Sequence, residues 1–586
     1  MTAAEIEIQK RTPTRTDALI FRGKTAALQL RRSCVDAFGR NVARHGKSSA
    51  LAAAPSIAES VTPLWTEGHA SERPLVAGKI QNLRVAARRL DGVEVAAGET
   101  FSFWKHVGRT SRLKGYVHGR ELREGCIIAN IGGGLCQLSN ALYNAALDAD
   151  FEIVERHAHT QVIAGSLAER GRDATVFWNY IDLRFRSGAA FRIEVLLDAE
   201  NLTVRFRGVR PADKKLHAIT RSRAAAATTT PNSCATCGED DCHRVIKPPK
   251  AVAAERRAFL VDEHSPEFDR YVAATASGSD LLLVPLDGRA FKKGNYAWST
   301  ASFGSVRQSI FVTAKRSYRS RKLAAQGSAR QQNLLRMYEE LADSYASKLS
   351  HDTLNLVVQQ NLLPFLWRSG ALGGRTFDVL MTALPMGEIQ KRLDHAALLH
   401  PESPTLGDFR ADPSLVRSET DALLSARKLI TPHAAIAQLF AERAELLKWE
   451  TPAAAARSGD TNRKPRVVFP ATTVGRKGCY ELREALRGVD AELVLLGPVI
   501  ESRDFWKGSE TGAGGADWLR SADLVVLPAF VEHRPRRLLA AAASGVPVIA
   551  TPECGLGDLA GTTTVPAGDP GALRCAVESV LSQTHK

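Results

Sequence analysis

Apolar runs and helix-period stretches alternate between residues 465 and 586, and this alternation constrains the fold more than any other feature. Short runs rich in Val, Leu and Ile are typical of strands buried on both faces. Helices that follow such strands suit the crossovers between parallel strands. The sequence therefore predicts a doubly wound sheet, with ligands at the carboxyl ends of its strands. The apolar runs are 466–469, 491–496, 523–527 and 546–550, and helices are predicted over 478–486 and 535–544.

A weaker alternation of the same kind precedes it and predicts a second parallel sheet. Its apolar runs are 257–261, 280–284, 354–358, 373–381 and 429–433, with a helix over 327–349. The segments between the patterned regions divide the chain into five parts. The predicted parts are a poorly patterned segment over 1–75, a mixed domain over 76–210, a linker over 211–255, an α/β lobe over 256–450 and a second α/β lobe over 465–586.

Composition places the chain among ordinary soluble proteins. Hydrophobic residues make up 44% and charged residues 24% of its 586 residues. No run reaches the roughly 18 apolar residues that a membrane-spanning helix needs. The start of the sequence lacks the apolar segment of a secretory signal. The whole chain has nine cysteines, an odd number that does not suggest a set of paired disulfides. These features predict a protein of the reducing cytoplasm.

The net charge of +15 bears on which partners the chain can bind. Because the basic residues are spread along the chain without a nucleic-acid-binding signature, no nucleic-acid partner is expected. A dispersed solvated surface accounts for the charge, and so does attraction to phosphate-bearing substrates or to an anionic membrane surface.

Three glycines, Gly132, Gly133 and Gly134, lead directly into a helix-period run that contains Cys136. Apolar residues at i, i+3, i+7 and i+10 predict one buried helix face, and the glycines allow a sharp turn into the helix. A thiol in the first turn of a helix tends to have a lowered pKa. The alternative is a small buried thiol under a tight turn.

Several motifs around this turn occur in an order that resembles the VanW family, over roughly residues 75–210. They are the run 98–104, the glycine–cysteine motif, the triplet 155–157 and the run 179–183. Alternation of apolar and polar residues separately predicts a half-buried strand over 171–185. The family is named for an accessory protein of vancomycin-resistance clusters. The resemblance implies an α+β domain linked to the bacterial cell envelope.

A cysteine nucleophile needs a base and a group that orients the base. His157 and His159 follow Cys136 in the chain, and Asp173 and Asp182 follow the histidines. This order suits acyl transfer on peptidoglycan peptides. The alternative is that the histidines have a structural role. The geometry of the side chains decides between the catalytic and the structural role.

The predicted linker contains Cys234, Cys237 and Cys242, a spacing typical of metal ligands in a reduced protein. Thiolates favour zinc or an iron–sulfur cluster. The alternatives are a redox-labile loop or incidental thiols, because a fourth ligand is not evident in the sequence.

The C-terminal half resembles a GT-B glycosyltransferase of the retaining, glycogen-synthase-like kind. The resemblance depends on the runs 475–478, 527–535, 545–549 and 566–570. It implies that Gly475, Arg476 and Lys477 bind the diphosphate of a nucleotide sugar and that Glu532 contacts the donor sugar. A second glutamate, eight positions after Glu532, holds the ribose in such enzymes. Here that position is Ala540, so one expected carboxylate is missing.

Together these features predict an α/β protein. It consists of a VanW-like α+β domain followed by a GT-B-like pair of doubly wound Rossmann-type lobes. The predicted function is transfer of a sugar from a nucleotide sugar to a cell-envelope precursor. The predicted location is the cytoplasm, either free or peripheral at the inner face of the membrane. One alternative is a cysteine-dependent hydrolase or transferase with a degenerate glycosyltransferase module. The other is a non-catalytic scaffold that binds envelope precursors.

Overall fold

The computed structural model groups the chain into two units. The first unit consists of Met1–Glu255, Ser350–Leu354 and Ser369–Arg375. The second unit consists of Arg256–Leu349, Asn355–Arg368 and Thr376–Lys586. The residues that the structure describes are 15–38, 42–65, 72–123, 126–159, 161–162, 171–210, 227–228, 232–233, 256–321, 328–408, 410–455 and 463–584.

The first unit combines helices with several small sheets. One sheet has the strand order β1-β10-β9-β2 and is antiparallel, and a second has the order β3-β8-β6; β4 pairs with β5, which also pairs with β12, and β7 pairs with β11. The helices are α1 (Arg15–Phe38), α2 (Arg73–Leu90), α3 (Phe103–Val107) and α4 (Leu135–Asp148). The strands are β1 (Ser56–Pro63), β2 (Val93–Val95), β3 (Thr100–Ser102), β4 (His118–Arg123), β5 (Cys126–Ile131), β6 (Glu152–Glu155), β7 (Gln161–Val162), β8 (Arg184–Arg186), β9 (Phe191–Leu197), β10 (Asn201–Gly208), β11 (Ala227–Thr228) and β12 (Asn232–Ser233).

Helix α4 supplies the centre of the core of the first unit. The apolar face predicted from the sequence is buried, since Leu135, Leu138, Leu142 and Ala145 are all at most 4% exposed. The helix packs against β1 and β10. This packing holds the first turn of α4 in place, and Cys136 lies in that turn.

The prediction of a half-buried strand over 171–185 is wrong for most of that stretch. Only Arg184–Arg186 forms a strand, and a turn closes between Phe177 and Ile181. Asn179 has φ +59°, a conformation that asparagine tolerates better than most residues. The side chain of Asp182 accepts a hydrogen bond from the backbone N–H of Trp104. This part of the chain is therefore held by a side-chain contact and not by strand pairing.

The second unit contains two fully parallel sheets. The N-terminal lobe is built on the order β15-β14-β13-β16-β17-β18-β19, and the C-terminal lobe on β22-β21-β20-β23-β24-β25. The strands are β13 (Arg257–Leu260), β14 (Leu281–Val284), β15 (Ser305–Gln308), β16 (Asn355–Gln359), β17 (Thr376–Leu380), β18 (Lys428–Thr431), β19 (Ala444–Leu446), β20 (Arg466–Phe469), β21 (Glu492–Leu495), β22 (Thr511–Ala513), β23 (Leu524–Leu527), β24 (Val548–Ala550) and β25 (Thr562–Thr564).

Helices connect these strands as crossovers of parallel sheets require. They are α5 (Pro266–Thr275), α6 (Ile310–Ser320), α7 (Ser328–Lys348), α8 (Leu363–Arg368), α9 (Met386–Leu399), α10 (Pro413–Ser425), α11 (Ala434–Leu439), α12 (Cys479–Ala485), α13 (Trp518–Ser521), α14 (Arg536–Ala543) and α15 (Pro570–Thr584). The predicted fold class, an α+β domain followed by two doubly wound lobes, is confirmed. Among the described helices, none is both long and apolar enough to cross a bilayer.

Candidate active sites

Close backbone packing explains the glycines before α4. Gly134, the residue before the helix, has φ +95°, and a Cβ built there would lie 2.1 Å from Cγ of Lys79. A Cβ on Gly133 would lie 2.4 Å from the carbonyl oxygen of Gly119. Side chains are therefore excluded from the turn, and the chain enters α4 at a fixed angle. Cys136 is the second residue of the helix.

A line of polar contacts runs from Cys136 through His159 to Asp173, and we call these three residues the thiol site. The thiol of Cys136 lies 3.6 Å from Oγ1 of Thr175 and 3.9 Å from the Val176 carbonyl oxygen. The imidazole of His159 is near enough to the thiol for each group to shift the pKa of the other. Its Nδ1 lies 2.7 Å from Oδ2 of Asp173, and its backbone N–H donates to the same oxygen at 2.8 Å. Because Nδ1 is held by Asp173, Nε2 is the ring nitrogen available to the thiol.

The pKa values of the thiol site favour charged side chains. Burial raises the pKa of Cys136, but the hydrogen bond and charge of His159 outweigh burial and leave the pKa below its usual value. Burial lowers the pKa of His159, yet its hydrogen bonds to Asp173 and Cys136 outweigh burial and raise the pKa to about 10. Burial likewise raises the pKa of Asp173, and the hydrogen bonds from His159 reverse the shift. Both shifts act in the direction that favours a thiolate beside an imidazolium.

Arg156 supports the thiol site, and sequence reasoning missed it. Its Nη2 donates to Oδ1 of Asp173 at 2.8 Å, and its Nε donates to the Asp173 carbonyl at 2.6 Å. The guanidinium also lies 5.3 Å from the centre of the Tyr143 ring on α4. Arg156 therefore fixes Asp173 relative to the helix that carries Cys136. Its place in the triplet 155–157 was the only signal in the sequence.

The structure places His157 and Asp182 in other hydrogen-bond networks. Nε2 of His157 lies 3.3 Å from Glu155, and 44% of the His157 side chain is exposed. Asp182 is buried, and it accepts hydrogen bonds from Ser102 Oγ at 2.6 Å and from Arg184 Nε at 2.9 Å. Burial raises the pKa of Asp182. The geometry thus brings together three of the five predicted residues.

In the second unit, the predicted donor-binding residues meet at the carboxyl ends of β20 and β23. Gly475–Lys477 forms a turn between β20 and α12. Nζ of Lys477 donates to Oε2 of Glu532 at 2.9 Å and to the carbonyl of Val531 at 2.8 Å. The carbonyl of Arg476 accepts a hydrogen bond from the Val531 backbone at 3.2 Å. All four predicted residues are therefore in one place, which we call the donor site.

Burial and the charge of Lys477 shift the pKa values of two side chains at the donor site. Burial raises the pKa of Glu532, but the Lys477 ammonium outweighs burial and lowers the pKa to about 2. Burial, followed by the charge of Lys477, lowers the pKa of the adjacent His533 to about 3. Ala540 lies within α14, so the departure noted in the sequence leaves an aliphatic position where a carboxylate was expected.

A cleft of about 160 Å³ opens beside the donor site, between the two lobes of the second unit. His433 at the end of β18 crosses it, because Nε2 of His433 lies 2.9 Å from the Glu532 carbonyl oxygen. Arg536 pairs with Glu267 of the N-terminal lobe. Sequence reasoning missed these interlobe contacts because their partners are far apart in the chain. The cleft is lined by His264, Gln359, His433, Trp449, His533 and Arg534, among others.

The predicted cysteine cluster, Cys234, Cys237 and Cys242, lies outside the described residues. Within the described ranges, no group of three or more His, Cys, Asp or Glu side chains is arranged to hold a metal ion. Zinc or an iron–sulfur cluster at those cysteines stays a prediction.

Comparison with known proteins relates each site to a family. A family model described as "VanW like protein" matches residues 78–207, and one described as "Glycosyl transferases group 1" matches residues 464–583. The chain joins a VanW-like domain to a glycosyltransferase-like domain. The thiol site lies in the VanW-like domain, and the donor site lies in the glycosyltransferase domain.

The relatives of the VanW-like domain come from two bacteria. The chain is 39% identical over 106 residues to the uncharacterized protein YoaR of Bacillus subtilis (strain 168), covering 18% of this chain and 34% of YoaR. It is 33% identical over 132 residues to the vancomycin B-type resistance protein VanW of Enterococcus faecalis (strain ATCC 700802 / V583), covering 21% of this chain and 47% of VanW. The chain thus spans less than half the length of either relative.

Solved structures similar to the chain include two sugar-related proteins. Sucrose-phosphate synthase of Thermosynechococcus elongatus aligns with a TM-score of 0.36 and 15% identity, over 56% of this chain and 90% of the synthase. HepE of Anabaena, in complex with UDP and glucose, aligns with a TM-score of 0.33 and 13% identity, over 56% of this chain and 90% of HepE. The two-lobed fold itself is assigned from the strand order of the two parallel sheets.

Proposed function

We propose that the VanW-like domain catalyses acyl transfer or hydrolysis through Cys136. The supporting observation is the position of His159, which Asp173 holds through both its ring and its backbone N–H and which lowers the pKa of Cys136. A thiol, a base and an orienting carboxylate are the three groups that covalent acyl chemistry requires.

The chemistry follows from these positions. The Cys136 thiolate attacks an amide carbonyl carbon, and the carbonyl electron pair moves onto oxygen, near the first-turn N–H groups of α4. The intermediate collapses as His159 gives its Nε2 proton to the departing amine, so that the C–N bond breaks and a thioester remains. Water or a second amine, deprotonated by His159, then attacks the thioester and releases the thiolate.

The substrate that we propose is a peptide amide of a cell-envelope precursor. The proposal rests on the likeness to a protein named for vancomycin resistance and on the net charge of +15, which suits a phosphate-bearing carrier. The odd cysteine count supports a cytoplasmic location.

Alkylation of individual cysteines tests the thiol chemistry. The purified chain is treated with iodoacetamide between pH 5 and pH 9, and the modified cysteines are quantified by peptide mass spectrometry. Because His159 lowers the thiol pKa, Cys136 should react faster than the exposed Cys575 below pH 7. A rate no greater than that of Cys575 would contradict the proposal and identify Cys136 as a structural thiol.

A second candidate function is glycosyl transfer from a nucleotide sugar at the donor site. It is favoured by the match to group 1 glycosyltransferases and by Lys477, whose ammonium lies between the turn at Gly475 and Glu532. A lysine and an arginine at the carboxyl ends of parallel strands are suited to a diphosphate. The acceptor that we propose is the same class of envelope precursor.

Binding of nucleotide sugars tests this second function. Isothermal titration with UDP-glucose and other common nucleotide sugars should detect binding to the chain, and Lys477→Met should weaken it at least tenfold by removing a charge-assisted contact to phosphate. Lys507→Met, at an exposed position in the same lobe, is the matched control. Absence of binding for every nucleotide sugar would indicate a degenerate module, consistent with Ala540.

We further propose that the N-terminal lobe associates with anionic lipid at the cytoplasmic face of the membrane. Phe311 on α6 is 92% exposed, with Ile310 and Phe291 also exposed nearby and Lys292 and Lys293 beside them. Apolar side chains among lysines match a surface of anionic headgroups.

Vesicle flotation tests the lipid proposal. Binding should require phosphatidylglycerol and should fall severalfold in Phe311→Ser, because an apolar side chain that inserts among the headgroups is lost. Leu398→Ser removes a highly exposed aliphatic side chain from a different helix of the same lobe and should have no effect. Equal binding to neutral and anionic vesicles would contradict the proposal.

A further inference from the structure

A cavity of about 750 Å³ lies in the N-terminal lobe of the second unit, and we call it the basic cavity. It is bounded by α6, by the loop between β14 and β15 and by the start of α7. The interlobe cleft beside the donor site measures only about 160 Å³. Pockets for small molecules commonly measure roughly 300–1,000 Å³, so the basic cavity has room for a ligand that the cleft does not.

Positive charge dominates the lining of the basic cavity. Its cations are Lys292, Lys293, Arg316, Arg321 and Arg330. Among the described lining residues, the single carboxylate is Glu263, which is already shared by Arg316 at 3.1 Å and Arg534 at 2.7 Å. Asp262 also binds Arg316, at 2.6 Å. The cations still outnumber the carboxylates, and this excess of positive charge favours an anionic ligand.

A closely packed turn presents Lys292 and Lys293 to the basic cavity. Lys292 has φ +50°, which is uncommon for a residue other than glycine. The backbone N–H of Lys293 donates to the carbonyl of Gly288 at 2.7 Å. A Cβ on Gly288 would lie 2.2 Å from the carbonyl carbon of Tyr296, so the turn leaves no room for a side chain there. The lysines therefore project from a packed backbone, which lowers the entropic cost of binding an anion.

The rest of the lining is largely apolar. Leu286, Phe291, Ile310 and Leu334 contribute to it, and the side chains of Phe291 and Ile310 are exposed to solvent. An aliphatic chain that carries an anionic group would cover this surface while its charge met the lysines. A free phosphate ion would leave the apolar surface in water.

Glu263 connects the basic cavity to the donor site. It lines both the basic cavity and the interlobe cleft. Its partner Arg534 is two residues after Glu532. A ligand that fills the basic cavity therefore ends beside the cleft, which is the position that an acceptor of the donor sugar needs.

We propose that the basic cavity binds an amphiphilic phosphate ester, with its phosphate among the cations and its aliphatic chain along the apolar part of the lining. The inference rests on the glycosyl transfer proposed for the donor site and specifies the acceptor as a lipid-linked phosphate. The residues of the lining bind this ligand and take no part in bond making.

Three probes separate a phosphate-bearing amphiphile from its parts. Isothermal titration with decyl phosphate, below the concentration at which it forms micelles, should show saturable binding at a single site. Inorganic phosphate lacks the chain and decyl maltoside lacks the charge, so each should bind at least tenfold more weakly. Equal binding of inorganic phosphate would indicate a site for free phosphate, and equal binding of decyl maltoside would indicate an apolar surface alone. Either result would overturn the proposal.

Variants of exposed lining residues test whether decyl phosphate binds in the basic cavity. Lys293→Met and Arg321→Met together should weaken binding at least tenfold by removing two charge-assisted contacts. Ala314→Trp should weaken it as much by filling the cavity. All three positions are exposed, so the melting temperature should not change. Lys315→Met is the matched control, because Lys315 lies on the same helix but pairs with Glu340 of α7. Undiminished binding in the double variant would overturn the proposal.

Competition with a nucleotide separates this proposal from the one for the donor site. UDP should bind the chain equally well with and without decyl phosphate, because the two ligands occupy different cavities. Displacement of decyl phosphate by UDP would place it in the donor site and overturn the proposal. If no nucleotide sugar binds, glycosyl transfer fails, whereas decyl phosphate binding that Ala314→Trp removes would still support the basic cavity as a ligand site.

Discussion

At the scale of single residues, the sequence narrowed the thiol site to five side chains but did not choose between two histidines. His157 and His159 are two positions apart, so in an extended chain they would point to the same side. The choice is made by Asp173, which binds both the ring and the backbone N–H of His159. The backbone N–H of Thr175 also donates to the His157 carbonyl at 2.8 Å and so joins the two segments, a pairing that the alternation of residues did not predict.

The two histidines provide a matched pair of variants. His159→Asn removes the imidazolium that lowers the pKa of Cys136, so the pKa of the thiol should rise and the thiolate fraction at neutral pH should fall. Alkylation of Cys136 by iodoacetamide at pH 6.5 should slow about tenfold for each unit by which the pKa rises. His157→Asn should change the rate less than twofold, because that ring contacts Glu155 instead. Equal effects of the two substitutions would contradict the assignment of His159.

At the scale of elements, the sequence predicted the central strands and missed the edges. β13, β14, β16, β20 and β23 are continuous apolar runs because helices cover both faces of the sheet. The strands it missed are short and partly exposed, as edge strands commonly are, so they carry no apolar pattern. These missed strands are β15, β19, β22 and β25.

The turn before α4 gives a prediction at the same scale. Gly134→Ala introduces a Cβ that must displace Lys79, at a backbone φ of +95° that alanine rarely adopts. The free energy of unfolding should fall by about 1–3 kcal/mol, typical of overpacking and of strain at positive φ. Thermal unfolding followed by circular dichroism measures the change. Gly188→Ala is the control, because no atom lies within 4 Å of its Cβ. An unchanged melting temperature in Gly134→Ala would show that the turn relaxes freely.

At the scale of the whole molecule, the chain has two candidate sites, one in each of its two units. The core around α4 contains residues between 57 and 206, whereas the core of the glycosyltransferase domain contains residues between 467 and 577. Neither family model spans the other unit. The predicted residues of the thiol site all lie in the first unit, and those of the donor site all lie in the second.

Separate cores predict separate unfolding transitions. Leu142→Ala removes a fully buried side chain from α4 and should destabilise the first unit by about 2–5 kcal/mol, and Leu539→Ala should do the same to the second unit. Differential scanning calorimetry should show two transitions, with Leu142→Ala lowering one and Leu539→Ala lowering the other. A nucleotide sugar that binds the donor site should raise only the transition that Leu539→Ala lowers, because a ligand stabilises the unit to which it binds. A single transition that both substitutions lower equally would mean that the two units unfold cooperatively, and the two activities would then be lost together.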